Sequence, residues 1–197
     1  MKKLFLLTFV VMFSMGLFAQ RESGVCTVQP KVGLTMSSIT NDNGGLKIGF
    51  AGGAELEYNL SKMFSLSAGV MYSMQGSKGD LKINGVPSNL TYQLDYINIP
   101  ILFNMYFTKG LSFKVGIQPG LCVNQKYKAT IKETSVSEID RLAGVKNTDI
   151  SIPIGISYEF HHVVLDVRYQ LGLTKVFEDN SGKNSVCQIT IGYKFQL

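Results

Sequence analysis

The chain has 197 residues, of which 45% are hydrophobic and 17% charged, and its formal net charge is +5. Two of those positive charges are Lys2 and Lys3, and the remaining chain has no basic cluster, so the composition does not indicate nucleic-acid binding. The length suits one domain, and three scattered cysteines, Cys26, Cys122 and Cys187, predict neither a metal site nor a disulfide framework.

The first nineteen residues are typical of a secretory signal peptide. Lys2 and Lys3 precede an uncharged apolar run over residues 4–17, and the small Ala19 offers a cleavage point before Gln20. A retained anchor is the alternative, although the run is shorter than the roughly 20 residues of a membrane-spanning helix. We therefore predict a cleaved segment over residues 1–19, a short periplasmic segment over 20–30, and one folded domain over 31–197.

The remaining sequence alternates with period two, as expected of strands whose two faces meet different surroundings. In chain order the alternation predicts eight strands, over residues 31–38, 47–60, 64–76, 91–107, 111–128, 148–160, 162–174 and 185–196. Pro100, Pro119 and Pro153 lie inside these segments, where each removes a ladder hydrogen bond and predicts a bulge or bend.

The connections between the predicted strands alternate strictly between short and long. Tight turns are predicted near residues 59–63, 108–110 and 161, whereas residues 39–46, 77–90, 129–147 and 175–184 are longer and polar. This rhythm is typical of outer-membrane barrels, which have short periplasmic turns and longer extracellular loops. The sequence thus predicts an all-β, eight-stranded antiparallel up-and-down transmembrane barrel with both termini in the periplasm.

One face of every predicted strand is apolar, as in the row Ile150, Ile152, Ile154, Ile156 and Tyr158. Lipid would meet this face, and the opposite face would line the lumen. Nine of the strand glycines fall on the lumen parity, where an eight-stranded barrel has little room for side chains. A soluble lipocalin-like barrel is the alternative, but it would require the apolar rows to point inward.

The lumen parity also carries charges of both signs, which we predict to form a structural network across the barrel. Its members are Lys31, Glu55, Glu57, Lys114, Glu159, Asp166, Arg168 and Lys194. A proton or ion path through a narrow pore is the functional alternative, although eight strands leave no open channel.

Three segments resemble the PorT-like family of bacterial outer-membrane β-barrel proteins. They are the motif Tyr96-Ile97-Asn98-Ile99-Pro100 with the apolar strand after it, the motif Gly116-Ile117-Gln118-Pro119-Gly120, and the C-terminal strand over residues 188–197. The resemblance implies an outer-membrane location, with some members linked to protein secretion. The chain departs from the usual terminal aromatic by ending in Leu197, but the alternating Ile191, Tyr193 and Phe195 should still be read by the barrel-assembly machinery.

His161 and His162, the only histidines, lie in a predicted turn. A lipid-modifying enzyme would pair histidine with serine and an acid, but no serine in a nucleophile motif accompanies them, so no catalytic residue is predicted. We also predict no cofactor and no metal. Outer-membrane lipid is the expected surrounding, and a protein or glycan is the expected partner at the long loops, because loops on a rigid scaffold commonly carry binding.

Overall fold

The fold consists of antiparallel β-strands. The computed structural model describes residues 22–40, 45–83, 86–108, 110–131, 134–140, 146–176 and 182–197, and for strand residues within 80–90 and 127–140 it describes the backbone alone. The predicted signal peptide over residues 1–19 lies outside these ranges. Within them no helix is long and apolar enough to cross a membrane. The strands are β1 (Cys26–Ile39), β2 (Lys47–Asn59), β3 (Phe64–Ile83), β4 (Val86–Asn98), β5 (Ile101–Tyr106), β6 (Leu111–Ile131), β7 (Thr134–Asp140), β8 (Thr148–Phe160), β9 (Val163–Lys175), β10 (Lys183–Tyr193) and β11 (Phe195–Gln196).

These strands close into the predicted eight-stranded barrel. β4 and β5 both pair with β3 and with β6, so they are two parts of one barrel strand, as are β10 and β11 beside β1. The sheet closes because β1 pairs with β2 on one side and with β10 on the other. β7 pairs only with β6 among the described strands and is not part of the barrel wall.

The three prolines have different effects. Pro100 separates β4 from β5, and its carbonyl accepts a hydrogen bond from the Gly69 amide at 3.1 Å. Pro153 lies within β8, where the ladder to β6 passes from Val115–Ile154 directly to Gln118–Ser151. Pro119 lies inside a continuous β6. The expected interruption therefore occurs at two of the three positions.

The first strand begins earlier than predicted. β1 starts at Cys26 rather than Lys31, so residues 26–30 belong to the barrel wall and not to the separate segment assigned to 20–30. They pair with β2 from Cys26–Tyr58 to Pro30–Ala54. Gln29 and Thr27 are buried, so they extend the inward-facing row of β1 toward the turn end.

The barrel has two unlike ends. At the turn end, short connections join β2 to β3, β5 to β6 and β8 to β9, and the start of β1 and the C-terminal residue Leu197 lie there. His161 and His162 form the last of these turns, and His161 has a φ of 57°, as two-residue hairpins require positive φ.

At the opposite end, the loop end, the predicted loops 77–90 and 129–147 are wrong in part. β3 and β4 stay paired up to Ile83–Val86, and the second region contains β7.

The two faces of the wall are as predicted. The apolar rows point outward, with Leu34 54%, Val70 57% and Ile156 56% exposed, whereas Lys31, Lys114 and Arg168 are almost fully buried. The apolar rows would therefore meet hydrocarbon rather than fill a central cavity, which excludes the lipocalin-like alternative.

The inward glycines allow close approach of neighbouring strands. A Cβ atom on Gly116 would lie 1.9 Å from the Ile101 carbonyl oxygen, whereas one on Gly45 would lie no closer than 3.5 Å to the Lys78 carbonyl oxygen. We expect Gly116→Ala to destabilise the barrel by about 1–3 kcal/mol through overpacking, and Gly45→Ala to leave stability nearly unchanged. Denaturant unfolding in detergent micelles measures both, and equal stabilities would contradict the steric argument.

Candidate functional site

The candidate site is the lumen, where the period-two alternation of the strands brings charged side chains to one axis. Glu55 and Glu57 come from β2, Asp166 and Arg168 from β9, and Lys31 from β1. Each is at most 3% exposed. Buried charges at this density are stable only when each one is paired and hydrogen-bonded.

Five of the eight predicted residues form one group, the central cluster: Lys31, Glu55, Lys114, Asp166 and Arg168. Arg168 contacts both carboxylates, with Nη2 2.8 Å from Glu55 Oε2 and 2.7 Å from Asp166 Oδ2. Its Nη1 also donates to Glu55 Oε1. A guanidinium that binds two carboxylates in this way is fixed in orientation as well as in charge.

The two lysines complete the central cluster from other strands. Lys31 Nζ lies 2.7 Å from Glu55 Oε2 and 3.4 Å from Asp166 Oδ2. Lys114 Nζ, on β6, lies 2.8 Å from the same Asp166 oxygen. Asp166 therefore receives all three cations of the cluster, and the cluster joins β1, β2, β6 and β9 across the lumen.

The other three predicted residues form a second group at the turn end, the rim cluster: Glu57, Glu159 and Lys194. Lys194 Nζ lies 2.8 Å from Glu57 Oε2 and 2.9 Å from Glu159 Oε2. Tyr106, which the sequence analysis did not single out, donates its hydroxyl to Glu57, as Ser65 does. Tyr106 lies on the inward parity of β5, and this parity could have identified it in the sequence as a lumen residue.

The two clusters balance each other in charge. The central cluster has three cations and two carboxylates, and the rim cluster has one cation and two carboxylates, so together they are formally neutral. All eight residues predicted for the lumen take part in one cluster or the other. Chemically, the arrangement crosslinks the wall and occupies the lumen.

Neutral polar side chains continue the filling toward the loop end. Gln118 Nε2 donates to Gln170 Oε1 at 3.0 Å, and Gln170 Nε2 donates in turn to Gln188 Oε1 at 2.8 Å. This glutamine chain spans β6, β9 and β10, and every member is buried. It extends the inward bonding without adding charge.

An apolar cap closes the described part of the lumen at the loop end. Ile39, Leu94, Tyr96 and Val176 form one buried cluster, each at most 2% exposed, and Cys122 packs against it. The pairing of β4 with β6 shifts register between Asp95 and Tyr96, and Leu94, Asp95 and Tyr96 are all buried. The cap was not predicted because Ile39 and Val176 lie beyond the predicted strand ends at residues 38 and 174.

The remaining candidate residues stand apart from the clusters. His161 packs edge-on against the Phe160 ring at 4.5 Å, and the His162 and Tyr193 rings are 5.5 Å apart. Within the described ranges no group of histidine, cysteine and acidic residues could hold a metal. Of the charges in the predicted outer loops, Lys132, Glu133 and Arg141 lie outside the described residues. The structure also describes no side chain for Lys128, Glu138 or Asp140.

Comparison with known structures supports the fold. The Yersinia pestis attachment invasion locus protein Ail is 15% identical, with 88% of this chain and all of Ail covered and a TM-score of 0.52. Ail in complex with the heparin analogue sucrose octasulfate gives 14% identity, coverages of 88% and 100%, and a TM-score of 0.50. Neisserial surface protein A is 14% identical over 87% of this chain and 97% of its own, with a TM-score of 0.50. At these identities the likeness concerns the fold alone.

No curated protein matches the sequence. A family model does: the one described as outer membrane protein beta-barrel domain matches residues 18–178, which is most of the chain. That match agrees with the closed antiparallel barrel, its apolar outer wall and its charged interior. The chain therefore belongs to the outer membrane protein beta-barrel domain family.

Proposed function

We propose that this protein is a non-enzymatic outer-membrane barrel that binds a protein or glycan partner at its loop end, as a structural or interaction component of secretion or envelope maintenance. Within the family we assign it to the PorT-like group, on the Tyr96 to Pro100 motif that ends at the break between β4 and β5. The lumen network serves as the structural core that holds the barrel closed.

One observation carries the binding role: β3, β4, β6 and β7 continue as a sheet beyond the barrel wall. The Gly45–Lys78 bridge is the last described pairing of β3 on its β2 side, yet β3 continues to Ile83, paired with β4. β4 pairs with β6 as far as Ser88–Ile131, and β6 pairs with β7. β3 has 20 residues, whereas a membrane-crossing strand needs about 9 to 11. The sheet is therefore longer than a membrane crossing requires.

The proposal also includes the orientation and the route of assembly. Residues 1–19 would direct export and be removed, the barrel-assembly machinery would insert the chain, and the turn end would face the periplasm. The supporting observation is that the short connections share one end with the start of β1 and the C-terminal residue, and outer-membrane barrels have their short turns in the periplasm. The protruding sheet would then face the cell exterior.

A shortened hairpin tests the binding role. Replacing residues 80–89 by Asn-Gly leaves Gly79 and Leu90 as the last β3–β4 pair, joined by a favoured two-residue turn. We expect the barrel to fold normally and to lose its partner, because the deleted part lies outside the wall. Partner binding is measured with heparin, since Ail was crystallised with a heparin analogue, and with photo-crosslinking in native membranes from the exposed position 78, which both barrels retain.

The matched control replaces residues 80–89 with a serine- and threonine-rich hairpin of the same ten-residue length. It preserves the length of the protrusion while changing its chemistry. Binding that both variants lose would assign recognition to the native side chains. If neither heparin nor a crosslinked partner distinguishes the natural barrel from the shortened one, the binding role is wrong.

A further inference from the structure

Three neighbouring strands of the wall each carry a lysine at the loop end of their outward row. The outward row of β9 passes through Leu173 to Lys175, and the outward row of β10 begins at Lys183. Lys146 lies two residues before β8 begins, on the parity of its outward row. All three lysines are exposed, and we call them the lysine triplet.

Backbone contacts hold the lysine triplet together. Lys175 and Lys183 are directly opposite each other in the ladder between β9 and β10. The Lys146 amide donates to the Val176 carbonyl at 2.9 Å, which places Lys146 beside the end of β9. The Lys183 amide donates to the Thr40 hydroxyl oxygen at 3.0 Å, so this end of β10 is fixed as well. Three ammonium groups therefore share one part of the outer rim.

The lysine triplet lacks an internal counter-ion. In the part of the chain that the structure describes, none of its three ammonium groups forms a salt bridge, whereas every lysine of the central and rim clusters contacts a carboxylate. Like charges directly opposite each other in a ladder destabilise the pair, and Lys175 with Lys183 is such a pair. An anion from outside the protein would relieve this repulsion.

The depth of the lysine triplet indicates which anion it meets. Each lysine lies beyond the apolar part of a row that faces hydrocarbon, and Leu173, next below Lys175 on its row, is 48% exposed there. The alkyl stem of a lysine can cover such apolar surface while its ammonium reaches the polar headgroup layer. The anionic group in that layer is a lipid phosphate, and lysine is a common phosphate ligand.

We propose that the lysine triplet binds the phosphate of a phosphorylated glycolipid of the outer leaflet. The acyl chains of the lipid lie along the outward rows of β8, β9 and β10. One lipid meets both parts of this site, because the lysines and the apolar rows share one face of the wall. The choice of leaflet rests on the orientation proposed above, but the phosphate chemistry does not.

Retention of lipid A tests the proposal on the full mature barrel in micelles of a neutral detergent. The probes are diphosphorylated lipid A and the same lipid with both phosphates removed, so their acyl chains are identical. Retained lipid is quantified by native mass spectrometry. We expect the phosphorylated form to be retained about a hundredfold more, at about fivefold per lysine. Millimolar inorganic phosphate should not displace it, because free phosphate makes no contact with the apolar rows.

Single lysine substitutions separate the lysine triplet from general surface charge. Lys183→Gln should lower retention of phosphorylated lipid A about fivefold. Lys78→Gln is the matched control, because Lys78 is also exposed at the loop end but belongs to β3, and it should leave retention unchanged. A triple variant with glutamine at positions 146, 175 and 183 should retain the two lipids equally. Circular dichroism checks that each variant folds.

The proposal is overturned if the natural barrel retains both lipids equally, if Lys183→Gln and Lys78→Gln behave alike, or if inorganic phosphate displaces the lipid. Heparin bound through the lysine triplet in place of lipid A would also overturn it and would assign the patch to a sulfated glycan. The hairpin variant that lacks residues 80–89 keeps the triplet. The lipid site and the proposed partner binding can therefore fail separately.

Discussion

Replacing Asp166 by asparagine should lower the free energy of unfolding by about 3 to 5 kcal/mol, the usual cost of breaking a buried ion pair by removing one partner. Asp166 contacts Lys31, Lys114 and Arg168, each within 3.4 Å. Asparagine keeps the shape and removes the charge, so three buried cations would share the single carboxylate of Glu55. Reversible denaturant unfolding in phospholipid vesicles measures the loss.

Two comparisons make this expectation specific to charge. Arg168→Met leaves two lysines facing two carboxylates, so it should cost less than Asp166→Asn although Arg168 makes as many hydrogen bonds as Asp166. Asp149→Asn is the matched control, because buried Asp149 accepts a hydrogen bond from the neutral Thr174 hydroxyl at 2.6 Å. It should cost about 1 kcal/mol. An Asp166 variant no less stable than the Asp149 variant would mean that the central cluster does not hold the barrel together.

The barrel and its charged interior were predictable because both follow from side-chain parity. In β8 the predicted and observed bounds coincide at Thr148 and Phe160, and its outward row of isoleucines alternates with Ser151, Gly155 and Ser157. Parity decides only which face a residue occupies. The division of the eight charges into a central and a rim cluster depends on the stagger between strands that are distant in sequence. The contact of Lys31 on β1 with Asp166 on β9 is an example, and the sequence alone does not give this stagger.

The protruding sheet was not predictable by the same argument. Outside the membrane both faces of a strand meet water, so residues 77–90 carry no long apolar row to mark them as β-structure. The composition of this segment suggests a loop, because it contains Gly79, Asp80, Asn84 and Gly85. β3 and β4 nevertheless stay paired as far as Ile83 and Val86.

The apolar cap escaped prediction for a different reason. Leu94 and Tyr96 keep the inward parity of β4, and Ile39 and Val176 continue the inward rows of their own strands. Ile39 and Val176, however, lie beyond the predicted strand ends at residues 38 and 174, in segments whose polar composition predicts loops. Parity therefore gives the face of each residue, but it does not show that these strand ends meet over the lumen.

An arginine at the centre of the outer wall should be nearly as costly as the loss of Asp166. Ile154 lies midway along the outward row of β8 and is 37% exposed on the lipid-facing side. Ile154→Arg should destabilise the barrel by about 2 to 4 kcal/mol, because the guanidinium would sit near the bilayer midplane or distort the bilayer to reach water. The measurement is denaturant unfolding in phospholipid vesicles.

Tyr158→Arg is the matched control, since Tyr158 lies on the same row nearer the turn end, where Phe160 and Tyr193 are also exposed. There the cost should fall to about 0 to 1 kcal/mol, because the long side chain reaches the interface. A depth dependence of this kind requires that the apolar rows face hydrocarbon. If the two arginine variants lower the free energy of unfolding equally in vesicles, Ile154 does not lie nearer the bilayer midplane than Tyr158.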